Sequence, residues 1–340
     1  PPRLKNMDRK DKKTLARLGW NLRFGLGTDS MREFLRVGGI NIYDVLNEYF
    51  DSRHLKAALA VDAVMGQHMG PRTPNTVLTY IHRVWAQTHA TSELSTGKDI
   101  LQALYNSADS AGVRFRPNSR VRRVLVEQGR ATGVLLESGE EVSASIVVSN
   151  ADVKTTFLEL VGAQNLDAMF CHRIDNIRCE GNVTKIFFAV RALPQFRNLD
   201  QKNLRHRLLI APNQRYVEHA FNHSKYGECS ENPVLEITVP SLADPTLAPS
   251  GLHVVSVSAT YTPRAPKQGW DSLRTVFLGN VLSTIEQYAP GFSENVEASK
   301  LLTPADIGIN YNNVGGHWHH GELSLDQCFM MRPVFGASQY

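Results

Sequence analysis

Three strand-length runs in one stretch of this chain leave few folds open to it. Arg120 to Glu127, Ala131 to Glu137 and Glu140 to Ser149 are separated only by turns at Gln128-Gly129 and Ser138-Gly139. Such spacing predicts an antiparallel meander. The first two runs alternate apolar and polar side chains, as a sheet with one solvated face does. The third ends in Ile146-Val147-Val148, a continuous apolar run suited to burial on both faces of a parallel sheet. A helix comes before them: Ser95 or Thr96 caps it, Ile100, Leu101, Leu104 and Ala108 share its inward face, and Gly112 ends it before a short strand, Val113 to Arg116. Helix, strand, meander and returning strand, exiting at Ser149-Asn150-Ala151-Asp152, predict part of an α/β domain over residues 95–152.

The flanking sequence has other periods. Residues 29–94 read as helices. Asn41 can cap Ile42 to Phe50, and Asp51 or Ser52 can cap a helix with Leu55, Ala58, Leu59 and Asp62 on one face and Gly66 closing it. Thr73-Pro74 opens another, in which Val77, Leu78, Ile81, Val84 and Trp85 recur at helical spacing. After a helix near Val153 to Leu160, the runs Val183 to Val190, Arg207 to Ile210, Val234 to Val239 and His253 to Tyr261 predict one mainly antiparallel sheet. Turn-rich segments, Pro240 to Pro245 and Ala248 to Gly251, join two of its strands. A long helix, Ser272 to Tyr288, stops before Pro290-Gly291, and Thr303-Pro304-Ala305-Asp306 opens a closing segment. The expected organisation is a helical part (1–94), the α/β portion (95–152), an α+β domain (153–305) and a return to the α/β domain (306–340).

Composition narrows the function classes. At 340 residues, 42% hydrophobic and 21% charged, the chain can bury the cores of two domains. A net charge of +4, spread along the sequence, gives no reason to expect nucleic acid as a partner. Only Arg3 to Arg17 gathers bases, interrupted by Asp8 and Asp11; a solvated helix and a peripheral contact with acidic lipid both account for it. Cys171, Cys179, Cys229 and Cys328 form no CxxC pair, which suits a reducing compartment such as the cytoplasm or mitochondrial matrix. No apolar run approaches the ~18 residues of a spanning helix. The N-x-[ST] triplets at Asn182 and Asn222 carry no weight without a secretion signal. Pro1-Pro2 and Tyr340, which follows a loop-like Pro333 to Gly336, suggest that both ends are cut.

Phosphate-binding motifs fail on inspection. Gly25-Leu26-Gly27 has Ser30 where a third glycine belongs and no strand before it, and Thr96-Gly97-Lys98 is flanked by Ser92 and Asp99 where a Walker loop needs Gly and Ser or Thr. The richest cluster is Gly315-Gly316-His317-Trp318-His319-His320-Gly321-Glu322. Three readings stay open for it: metal ligands, although the spacing is not the i, i+4 of zinc helices; pocket-lining groups that position a substrate or relay a proton; or ring nitrogens that tie a Gly-rich loop to a sheet. Asp62, on an apolar helix face, marks either a polar point in a substrate tunnel or a salt bridge. His82 lies off its helix's apolar face, at a surface or inter-domain position. Arg332, after Met330-Met331, is either a phosphate contact or a surface ion pair.

Several blocks occur in an order that resembles one family. They are Thr79 to Arg83, Val147 to Asp152, the Pro240 to Gly251 connection, Tyr288 to Phe292, Thr303 to Asp306 and Gly315 to Gln327. Together, and over nearly the whole chain, they resemble the phytoene desaturase-like and amine-oxidase-type FAD-dependent oxidoreductases, in particular their pyridine nucleotide-disulfide oxidoreductase domain-containing branch. The resemblance implies an incomplete glutathione-reductase-like FAD domain beside a helical and antiparallel-sheet substrate domain. It implies FAD as cofactor of the complete protein, although the GxGxxG opening and Gly-rich closing segments of the family are not in this sequence. By the same resemblance Val121 offers main-chain contacts to adenine, Asn150 and Ala151 lie at the cofactor crevice with Gly315 and Gly316, and His317, His319, His320 and Glu322 face the reacting groups, with no metal. The implied activity is dehydrogenation or desaturation of a lipophilic, unsaturated small molecule. A homo-oligomer is compatible with it. The missing Gly-rich loop motivates one alternative, a flavin-free scaffold or binding subunit derived from such an enzyme.

Overall fold

The structure, a computed structural model, describes residues 7–89, 97–328 and 331–337. It divides into two compact units: a larger one made of residues up to Gln87 together with those from Arg178 on, and a smaller one, Thr88–Ile177. Ser95 and Thr96, the expected helix caps, lie outside the described residues, as do Met330 and the Ser92 to Leu94 segment.

The larger unit begins with five helices, α1 (Arg9–Trp20), α2 (Gly27–Gly39), α3 (Ile42–Tyr49), α4 (Arg53–Val64) and α5 (Thr76–His89). Asp8 and Asp11 form a reciprocal capping box on α1, which explains the acids inside the basic run. Gly25-Leu26-Gly27 is not a phosphate loop but the junction between a π-helical turn (Asn21–Gly25) and α2. Trp20, Phe24, Phe34 and Leu35 are exposed along this arm, among arginines and lysines. Asn41 caps α3 and Ser52 caps α4, as the sequence predicts.

Helix α5 departs from its apolar stripe. Among its described side chains Thr76, Val77 and Thr79 are buried, whereas Ile81 and Trp85 are exposed. The cause is the partner surface: α4 presents Ala57, Ala60, Val61, Ala63 and Val64, and the Thr79 hydroxyl donates to the Ala63 carbonyl. Small and hydroxylated side chains allow a closer approach than Ile81 and Trp85 would.

From Arg178 on, the larger unit builds a five-stranded sheet in the order β5-β6-β7-β4-β8 once the smaller unit's strands are numbered first as β1 (Val121–Glu127), β2 (Arg130–Leu136) and β3 (Glu141–Ser143). Its strands are β4 (Val183–Val190), β5 (Leu208–Ile210), β6 (Val234–Thr238), β7 (His253–Thr260) and β8 (Val296–Leu302), every neighbour pair antiparallel. Ile186, Phe188, Leu235, Ile237, Val255 and Val257 share one face with Phe277, Val281 and Ile285 of the long helix Trp270–Tyr288 over it. Each such fully buried side chain contributes about 1.5–3 kcal/mol relative to exposure. The alternate residues, among them Lys185, Glu236, Ser256, Ser258 and Thr260, belong to the opposite face.

The smaller unit contains α6 (Gly97–Ser110), the meander β1-β2-β3, a π-helical stretch (Thr155–Gly162) and α7 (Ala168–Asp175). Three expectations are corrected here. Val113 to Arg116 forms no strand; Phe115 instead stacks on Tyr105 of α6 at 4.4 Å. The third meander strand is only Glu141–Ser143, and Ile146 and Val148 are 77% and 89% exposed. Ile100, Leu101 and Leu104 are exposed rather than inward. The reason is common to all three. A strand buried on both faces needs strands beside it and layers above and below, and the described residues of this unit supply only an antiparallel meander. In the remaining chain α8 (Gln214–Lys225), α9 (Trp270–Tyr288) and α10 (Pro304–Tyr311) complete the helices. Residues 306–337, expected to rejoin the α/β domain, pack within the larger unit, and residues 153–177 within the smaller.

Candidate functional site

A cavity of about 350 Å³ opens in the larger unit. Asp62 and Ala63 of α4, Met65 and Gln67 of the turn after it, and Thr79, His82, Arg83 and Ala86 of α5 form most of its wall; His319, Gly321, Leu323 and Arg332 close the remainder.

The His-rich loop reaches the cavity because its backbone is pinned along its length. Gly181 N–H donates to Gly315 O at 2.8 Å, and Glu322 N–H to Arg178 O at 3.0 Å. Gln67 Oε1 accepts from Leu323 N–H at 2.8 Å, and Asn313 Nδ2 donates to His317 O at 2.7 Å. Gly315 and Gly316 have φ of 70° and 69°. A Cβ on Gly315 would stand 2.0 Å from Cys179 O, and one on Gly316 1.8 Å from Pro304 O. Both glycines are therefore required by close backbone packing.

The four polar residues expected at the reacting centre part company. His317 is fully buried, and its Nδ1 accepts from His319 N–H at 3.1 Å, which leaves the neutral ring's proton on Nε2. Burial, then the neighbouring His319 and His320, pull its pKa down to about 4. His319 alone lines the cavity; its ring covers Gly66, with Nε2 3.6 Å from where a Gly66 Cβ would be. Burial lowers its pKa, followed by the charges of Arg83, His82, His320 and Arg332. His320 is exposed at φ 59° and does not line the cavity. Glu322 is buried against Arg178 (3.2 Å), whose guanidinium also holds Asp326 in a two-pronged pair at 2.7 and 3.0 Å and donates to Ser324 Oγ at 2.7 Å. That carboxylate is committed to anchoring the loop. Among the described residues, no three His, Cys, Asp or Glu side chains gather as metal ligands.

Asp62 turns out both ion-paired and cavity-lining. Arg83 Nε lies 3.2 Å and Arg207 Nη2 2.6 Å from its Oδ1; Arg207 also pairs with Glu236, and Arg83 stands 3.9 Å from it. Sequence reasoning missed Arg83, Arg207 and Glu236, which are far apart in the chain. It also missed Lys185, half-buried on the sheet face shared with Glu236, where Nζ donates to Ser258 Oγ at 2.9 Å. Burial lowers the Lys185 pKa and Glu236 partly restores it. A lysine inside Val183–Val190, otherwise apolar but for Thr184, was the available signal.

Val121, Asn150 and Ala151 belong to the smaller unit. Val121 is half-buried on β1, an edge strand whose outer backbone groups have no strand partner among the described residues. Asn150 and Ala151 are exposed just before a helical start, where Asp152 Oδ1 accepts from Lys154 and Thr155 N–H at 2.9 and 3.0 Å. A carboxylate thus occupies the amides that a phosphate would otherwise use.

Comparison with known proteins agrees with the resemblance to FAD oxidoreductases. A family profile described as FAD binding domain matches residues 36–160. The pyridine nucleotide-disulfide oxidoreductase domain-containing protein 2 of Rattus norvegicus is 37% identical over 316 residues, 88% of this chain and 54% of its own length. A neurosporene-forming phytoene desaturase of Cereibacter sphaeroides is 28% identical over 238 residues, 69% of this chain and 45% of its own. The chain thus spans about half the length of the curated relatives it matches. Among solved structures, an oxidoreductase from Methanosarcina mazei shares the fold with a TM-score of 0.53 at 17% identity, over 87% of this chain and 61% of that one.

Proposed function

We propose that the chain belongs to the phytoene desaturase-like family of FAD oxidoreductases and that the whole protein is an FAD-dependent dehydrogenase or desaturase of a lipophilic, unsaturated substrate. The observation that carries this is the FAD-binding match over residues 36–160, which includes both the helices walling the cavity and the meander. FAD, when bound, supplies the hydride acceptor. Within each unit taken by itself, some of the residues present suit this reading. The open edge of β1 at Val121 offers main-chain groups to adenine, and the cavity offers a substrate chamber. The described residues make no grip for the pyrophosphate. The exposed apolar faces of α6 and of Ile146 and Val148 suit a glutathione-reductase-like parallel sheet packed against them.

In the chamber Ala63, Met65, Ala86 and Leu323 exclude water from the substrate, and His319 holds or moves a proton at its ring. The buried, neutral His317 positions His319 through the main-chain N–H, and Glu322 positions the loop through Arg178. The arm from α1 to α2, with Trp20 and Phe24 among bases, provides a peripheral contact with an anionic bilayer. Flotation with vesicles containing anionic phospholipid should carry the protein up at low salt and release it at high salt; equal recovery with neutral vesicles would remove the contact from the proposal.

The protein expressed from its full reading frame is expected to show the visible flavin bands, to release FAD on denaturation, and to be bleached anaerobically by its unsaturated substrate. A colourless protein that takes up no added FAD would overturn the reading and favour the flavin-free scaffold.

A further inference from the structure

Charge is unevenly matched around the cavity. Asp62 is the only acid among its lining residues, and it is already held by Arg83 and Arg207. Glu236 answers the second charge of that pair of arginines. Two carboxylates and two guanidinium groups therefore cancel. Arg332 is left over: it lines the cavity and has no ion-pair partner among the described residues. His82 and His319 stand on the same wall.

We propose that this cavity takes the carboxylate end of an amphipathic, unsaturated substrate, with Arg332 as the anchoring cation and His82 and His319 as flanking donors. The inference rests on the flavoenzyme reading and deepens it by naming the substrate class. The apolar wall of Ala63, Met65, Ala86 and Leu323 receives the adjoining carbons. A volume of about 350 Å³ accommodates a head and the first stretch of chain rather than a whole long polyene. Arg332 is exposed at the cavity, where a pure hydrocarbon offers its guanidinium no acceptor, whereas a carboxylate accepts two parallel N–H bonds from the fork. The local field agrees with the inventory: after burial, the charges of Arg83, His82, His320 and Arg332 depress the His319 pKa.

An oxyanion could reach Arg332 from a second source, a phosphate of the cofactor, so the test separates the two. Full-length protein, with its FAD content recorded, is titrated with oleate below its micelle concentration and with methyl oleate. Wild type is expected to bind the acid about tenfold or more tighter than the ester. Arg332→Met should abolish that preference without changing ester affinity or FAD content, Arg332→Lys should restore part of it, and Asp62→Asn, which frees positive charge, should strengthen it. Equal affinity for acid and ester, or no saturable binding of either, overturns the proposal. Loss of FAD in Arg332→Met with the acid preference intact also overturns it and gives Arg332 to the cofactor. A colourless wild-type protein that still prefers the acid sinks the flavoenzyme reading and leaves the anion site standing.

Discussion

Gly316→Ala is expected to destabilise the larger unit by about 2–5 kcal/mol, from about 1–2 for a left-handed residue with a Cβ and about 1–3 for the overlap it creates. The residue sits at φ 69°, and the added carbon would lie 1.8 Å from Pro304 O and 2.7 Å from its carbonyl carbon. Those atoms are poorly able to retreat. Pro304 begins α10 inside the Thr303–Asp306 capping box, and Asp306 is fixed in turn by Arg274 at 2.8 Å. The adjoining backbone is equally close, since Gly181 approaches Gly316 so tightly that a Cβ there would stand 2.2 Å from Gly316 O. Gly139→Ala makes a fair control: φ is 88° but nothing lies within 4 Å, so only the conformational part is lost. Urea midpoints should fall about twofold or more further for Gly316→Ala than for Gly139→Ala. Equal losses would show that close packing at Gly316 contributes nothing.

The same loop shows what a sequence can and cannot disclose. The His317 to Glu322 cluster, its glycines and its order within the family were all legible. The assignment of tasks within it was not, because it depends on which side each residue faces once Cys179, Pro304 and Arg178 are brought against it. Glu322 reads as a free acid until Arg178, 144 positions away, is placed beside it. Local signals did well where the physics is local, as with the caps at Asn41 and Ser52, the turns at Gly129 and Gly139, and the alternating strands of the larger sheet. They failed where burial depends on a partner. The strand Val296–Leu302 reads VEASKLL, mostly polar, because it is the sheet's edge, and it was missed. The helix Gln214–Lys225 was missed too, although Asn213 caps it, because its apolar positions are few and Val217 and Ala220 bury in a cluster drawn from distant residues such as Ile42, Val61 and Val234. The opposite error befell Ile100, Leu101, Leu104 and Ile146 to Val148, whose pattern announces burial that the described residues of the smaller unit do not provide.

Acid should weaken the fold through His317 in particular. In the folded protein its pKa is pulled down to about 4 from an ordinary 6.5, chiefly by burial. Between those values the unfolded chain binds a proton that the folded one refuses, so stability rises with pH across the window. The contribution is complete above about 6.5 and is lost progressively as pH falls toward 4. The gap corresponds to about 3 kcal/mol. Carboxylates titrate over part of the same range, so the informative quantity is the difference from His317→Gln, which keeps a hydrogen-bonding side chain of similar reach but cannot take the proton. Urea unfolding from pH 7.5 to 4.5 should show the wild type losing stability more steeply, by up to one proton on unfolding. The two profiles should run parallel above 7. Parallel profiles throughout would mean that His317 accepts its proton in place, with the loop opening to let water in. The Nδ1 that holds the His319 main-chain N–H would then no longer be a fixed acceptor at acid pH, and His319 would lose the positioning assigned to it here.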